Sequence, residues 1–71
     1  MRKPGAIELT TVDGGRVGIS VFDITSWGED GGTVKVYVRH EAEPWDVREP
    51  FDYVTSLITG ATLQAFGAAQ N

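Results

Sequence analysis

The stretch Ala6-Ile7-Glu8-Leu9-Thr10-Thr11-Val12-Asp13-Gly14-Gly15-Arg16-Val17-Gly18-Ile19-Ser20-Val21 decides how the rest of the chain is read. Ile7 and Leu9 fall on one side of an extended backbone and Glu8 and Thr10 on the other, the period of a half-buried strand. Asp13-Gly14-Gly15 follows, and Asp-Gly supplies the positive φ angles that a tight hairpin turn demands. The chain therefore reverses, and Val17, Ile19 and Val21 form the inward face of a second strand. Gly18 lies between them on the outward side, where a bulge or a close backbone approach finds room.

Working outward from this hairpin, Phe22-Asp23-Ile24 turns the chain into a short third strand that runs to about Trp27 with Ile24 inward. Trp27 is out of phase with Ile24, so alternation alone does not assign it to the core or the surface. Gly28-Glu29-Asp30-Gly31-Gly32 reads as a second glycine-rich turn. Thr33 to Arg39 then alternates cleanly, with Val34, Val36 and Val38 on one face and Thr33, Lys35, Tyr37 and Arg39 on the other. Such alternation belongs to a sheet covered on one side only.

After His40, the polar segment Glu41-Ala42-Glu43-Pro44 reads as a loop, and Trp45 to Arg48 as a fifth strand with Trp45 and Val47 inward. Pro50, Glu49 and Asp52 suit a helix N-terminus by fixed φ or by charge, and Phe51, Val54, Leu57 and Ile58 form an apolar stripe. Gly60 is expected to end that helix. The fold class is thus α+β: a small twisted antiparallel β-meander of about five strands with one C-terminal helix packed on its apolar face. Residues 1–5 read as a flexible N-terminus and 6–60 as a single meander-plus-helix domain. Residues 61–71 form a tail, either frayed or carrying an extra helical turn through Leu63 and Phe66.

The chain has 71 residues, six Lys plus Arg against ten Asp plus Glu, a formal charge of −4 and no cysteine. A disulfide-stapled scaffold and a thiolate metal site are excluded. A membrane-spanning helix needs about 20 consecutive apolar residues, and no such run exists. The basic start Arg2-Lys3 has no apolar stretch behind it, so a signal peptide is not expected and the cytoplasm is the expected location. Between Glu41 and Asp52 the acids Glu41, Glu43, Asp46, Glu49 and Asp52 face the single base Arg48, so this segment holds the whole net charge. That balance repels phosphate backbones, and direct binding to nucleic acid is not expected.

Catalysis finds little support. His40 is the only histidine, there is no thiol, and Ser20, Ser26 and Ser56 lack the sharp Gly-x-Ser-x-Gly turn that exposes a nucleophile. His40, Glu41 and Glu43 are acceptable metal-ligand types, but neighbours on an extended chain point to opposite sides and no fourth ligand is evident. The glycine-rich turns lack the Lys-Ser/Thr ending of a phosphate loop. The expectation is a protein with no enzymatic activity, no metal and no cofactor. The better lead is a partner-binding surface of Tyr37, Arg39, Glu41, Glu43, Trp45 and Asp46, because Tyr, Trp and Arg dominate binding hot spots. Both tryptophans can equally serve the core of so small a chain.

Ile7-Glu8-Leu9-Thr10-Thr11-Val12-Asp13-Gly14-Gly15-Arg16-Val17 resembles the opening of the FlbD-like small flagellar proteins, an apolar-x-Leu-Thr strand followed by an Asn-Gly or Asp-Gly turn. Thr33-Val34, leading to Val47-Arg48-Glu49 and a helix ending in Leu57-Ile58, is similar to that family's closing strand and Val-x-Glu helix start. The resemblance covers about residues 6 to 59. The longer acidic loop from His40 to Pro44, the bulk of Trp27 and Trp45 and the extended tail depart from it. It implies the fold more than a flagellar role and brings no catalytic residue with it. Function then divides between a non-catalytic protein-binding regulator or adaptor and an inhibitor encoded by a phage or mobile element. The inhibitor, of anti-CRISPR type, would use its acidic segment to block a nucleic-acid-binding site on a host complex. Two strand edges stay open in such a sheet, which makes a homodimer a further expectation.

Overall fold

The computed structural model describes the backbone of residues 5–70 and the side chains of residues 5–67. The elements run in the order β1 (Ala6–Thr10), β2 (Arg16–Ser20), a single 3₁₀ turn (Val21–Asp23), β3 (Ile24–Asp30), β4 (Thr33–Val38), β5 (Trp45–Val47) and α1 (Phe51–Gln70). All strand pairs are antiparallel. β1 pairs with β2, and β3, β4 and β5 form a second, three-stranded sheet in that order. The α+β class expected from the alternation is the observed one. Of the segment expected to be a flexible N-terminus, residues 1–4 lie outside the described residues.

The meander breaks between β2 and β3, where the 3₁₀ turn replaces a hairpin. Its start is capped by Ser20, whose Oγ accepts from the Phe22 amide at 3.3 Å. The two sheets rejoin elsewhere, through a bridge between Thr11 and Val47. Around that bridge the Val12 amide donates to the Asp46 carbonyl at 3.0 Å, and the Arg48 amide to the Thr10 carbonyl at 2.8 Å. β5 therefore stands between β4 and the end of β1. The Glu49 carboxylate completes the seam, taking the Thr10 amide on both oxygens at 2.9 and 3.0 Å. Glu49, expected to serve the helix dipole, serves a strand end instead. Pro50 sits at the helix N-cap, its carbonyl accepting the first helical bond from the Val54 amide at 3.0 Å.

The turn of the first hairpin spans Thr11 to Gly15. Gly14 takes φ +98°, and the Thr11 amide and the Gly15 carbonyl close the loop at 2.8 Å. Asp13 organises it, accepting from the Thr11 hydroxyl and from the Gly15 amide, and these bonds hold its carboxyl below the usual carboxylate range. The second turn is shorter than the sequence suggests. Only Gly31 and Gly32, at φ +63° and +90°, are needed to pair Asp30 with Thr33, so β3 continues through Gly28-Glu29-Asp30.

A register shift between Ile24 and Ser26 resolves the phase of Trp27. Ile24 pairs with Val38 and Trp27 with Val36, so three residues on β3 span the distance of two on β4. Thr25 is the extra residue of a bulge, and it brings both Ile24 and Trp27 to the face under the helix.

That face carries the core. Ile7, Leu9, Ile19, Val21, Val34, Val36 and Val47 meet Val54, Ile58 and Ala61 of α1, with Val17, Ile24, Trp27, Val38, Trp45 and Leu57 packed around them. The helix does not stop at Gly60. A glycine inside a helix costs about 1 kcal/mol relative to alanine, but Ala61 beyond it is buried on the core, and Ala65 comes up beside Phe22 and Gly5. Gly5 has φ +87°, and a Cβ there would lie 2.9 Å from the Phe22 ring. The close approach of chain start, 3₁₀ turn and helix requires a glycine at this point.

Candidate functional site

The six residues singled out from the sequence fall into three places. Tyr37 and Asp46 lie on the outward face of the three-stranded sheet, the side without the helix. Lys35 stands across from Asp46 in the β4–β5 register, and its Nζ reaches the Asp46 Oδ1 at 2.6 Å. This hydrogen bond holds the Lys35 ammonium above its ordinary range. Tyr37 lies two residues further along the same face and is 44% exposed. Its carbonyl accepts from the Thr25 hydroxyl at 3.3 Å.

Arg39 follows β4 directly. Its amide donates to the Asp23 carbonyl at 2.7 Å and its Nη2 to the Phe22 carbonyl at 3.1 Å, tying the end of β4 to the 3₁₀ turn. The next residue, His40, has φ +74°, in a turn closed by the Glu41 amide on the Val38 carbonyl at 3.2 Å. Glu41 and Glu43 then project from an exposed loop, and among the described residues neither side chain has a hydrogen-bond or ion-pair partner within the chain.

Trp45 is elsewhere. It pairs with Val36, on the helix side of the sheet, and is half-buried against the core. Its ring also walls an open cleft of about 300 Å³ lined by Glu41, Ala42, Glu43 and Pro44. Of the six, Tyr37 and Asp46 share a face, Glu41 and Glu43 share a loop that touches Trp45, and Arg39 is engaged with backbone carbonyls. Of the acidic excess between Glu41 and Asp52, Asp46 and Glu49 have structural partners.

Alternation puts Lys35 beside Tyr37, but only the register supplies Asp46 as the acid across from it. Alternation does not assign Trp27, and the structure does. Trp27 is half-buried and its Nε1 donates to the Thr55 Oγ1 of α1 at 2.8 Å, so the indole is fixed between sheet and helix. A second groove of about 420 Å³ runs between β1 and α1, bordered by Glu8, Arg16, Tyr53, Ser56 and Gln64. The Arg16–Glu8 ion pair, at 2.6 Å, closes one side of it.

Among the described residues no helix is long and apolar enough to cross a membrane, and no three His, Asp or Glu side chains converge as a metal site. No protein-family model, no curated protein and no solved structure matches this chain.

Proposed function

We propose that the protein is a non-catalytic binding module, a cytoplasmic regulator or adaptor that engages a protein partner through the outward face of the β3–β4–β5 sheet and the acidic loop beside it. The observation that carries this reading is Tyr37, a large aromatic 44% exposed on a face the helix leaves bare, next to the Lys35–Asp46 pair. Tyrosine offers a rigid, amphipathic contact of the kind that anchors interfaces. The resemblance to the FlbD-like proteins is in keeping with such a role. A homodimer belongs to the same reading, since among the described residues β2 has β1 as its only strand neighbour.

The test is affinity capture from a bacterial lysate with the native chain and with a Tyr37→Ala, Arg39→Ala, Glu43→Ala triple variant. The far-ultraviolet circular dichroism of the variant serves as the control for folding. A protein captured by the native chain and lost with the variant supports the reading, and equal capture by both overturns it. Glu41 and Glu43, without side-chain partners among the described residues, favour the inhibitor as second reading. In that case the captured complex binds nucleic acid, and the native chain displaces it where an adaptor does not. Sedimentation at micromolar concentration reads the homodimer.

A further inference from the structure

β3 is the edge of its sheet, with β4 on one side and, among the described residues, no strand on the other. The two-residue turn makes Asp30 and Thr33 a hydrogen-bonded pair, and the ladder alternates from there. Gly28 and Ser26 therefore turn their amides and carbonyls toward β4, and Trp27 and Glu29 turn theirs toward the open edge. The bulge at Thr25 limits the regular edge to residues 26–30.

Trp27, Phe51, Ser26 and Thr55 line an open, largely apolar cleft of about 340 Å³ beside this edge. Phe51 is 37% exposed there, and the Trp27 indole is already held by Thr55. Glu29 pairs with Val34, a core residue, so its carboxylate lies on the same face as Trp27, two residues along. Glu29 is exposed and, among the described residues, forms no ion pair. An inward-pointing charge of this kind resists pairing with an apolar strand. It also resists a second copy, because Ile24-Thr25-Ser26-Trp27-Gly28-Glu29-Asp30 contains no basic residue to set against it.

We infer that the β3 edge is a strand-addition site for an extended peptide segment of a partner protein carrying a basic residue, one spacer and a large apolar residue, in that order. Added antiparallel, like every strand already present, such a segment lays its apolar side chain over the Trp27–Phe51 cleft. Its Lys or Arg, on the same face, lies across from Glu29. The edge amides and carbonyls of Trp27 and Glu29 supply the backbone bonds, and the Glu29 carboxylate supplies the selection. This deepens the binding-module reading at a different surface, so the two fail separately.

The probe is a capped peptide Thr-Lys-Thr-Leu-Thr-Thr, titrated into the ¹⁵N-labelled full chain. Amide shifts concentrated in residues 26–30, Phe51 and Thr55, with Tyr37 unmoved, are expected. Replacing Glu29→Lys should weaken this peptide about fivefold and improve a Thr-Glu-Thr-Leu-Thr-Thr peptide by a similar factor, as cross-strand charge pairs do. Methylating the backbone nitrogen of the peptide's leucine should abolish binding. No binding at millimolar peptide, shifts centred on Tyr37, indifference to Glu29→Lys, or edge-to-edge self-association in place of peptide uptake would each overturn the proposal.

Discussion

The two halves of α1 have similar composition and opposite circumstances. From Phe51 to Ala61 the helix is pinned: Val54 is fully buried, Ile58 and Ala61 nearly so, and Thr55 holds the Trp27 indole. From Thr62 to Gly67 the hold is slight: Ala65 comes up beside Gly5 and Gln64 borders the groove against β1, while Leu63 is 67% and Phe66 58% exposed. Neither half carries charge beyond Asp52. The difference shows that the apolar stripe stabilises a helix only where something lies beneath it. The second half persists as a continuation of the first, through Ala65 at the 3₁₀ turn and through hydrogen bonding that propagates cheaply once a helix is nucleated.

Substitutions can break this contrast. The largest effect is expected from Ile58→Ala, which should cost about 2–4 kcal/mol in urea unfolding by emptying a core position, against under 0.5 kcal/mol for Leu63→Ala at an exposed one. Equal costs would mean that both halves are packed alike. Trp27→Phe should cost about 1–2 kcal/mol, because Thr55 loses its donor partner while most of the ring volume is kept.

The glycines sharpen the contrast with the opposite sign. Outside the helix's own backbone, a methyl at Gly60 or Gly67 meets no atom of the described residues within 4 Å, so alanine fits at both. Gly60→Ala, inside the pinned stretch, should raise stability by about 0.5–1 kcal/mol. Gly67→Ala, near the end, should yield only a few tenths because the last turn frays. Identical gains would show the helix to be cooperative to its end. A last, local effect is expected at His40, whose φ of +74° suits glycine: His40→Gly should add a few tenths of a kcal/mol and leave α1 untouched. Thermal unfolding of each variant reads all of these.

Much of the fold is legible from local patterns. The hairpin around Asp13-Gly14, the alternation in β4, the inward Val47 and the helix start after Pro50 all follow from periods and turn residues that neighbours in sequence express together. Trp27 was not legible, because one extra residue at Thr25 inverts the phase and a bulge leaves no unambiguous mark in composition. The end of the helix misled for a related reason. Gly60 is a genuine local stop signal, overruled by the burial of Ala61 and the approach of Ala65 to Phe22. For the candidate surface, facing was readable for Tyr37, whereas the engagement of Asp46 by Lys35 and of Arg39 by the Phe22 carbonyl depended on which strands came to lie side by side.

By itself the sequence determined the strands, their turns, the apolar stripe and the acidic balance, since each is set by the chemistry of residues within a few positions of one another. Tertiary structure alone decided that β5 lies against the end of β1, that Glu49 closes that seam 39 residues away from Thr10, and that β3 is an edge among the described strands with Glu29 on the face of Trp27. These arrangements satisfy backbone groups and bury apolar area between segments distant in the chain, and no local period encodes which distant partner a strand edge will find.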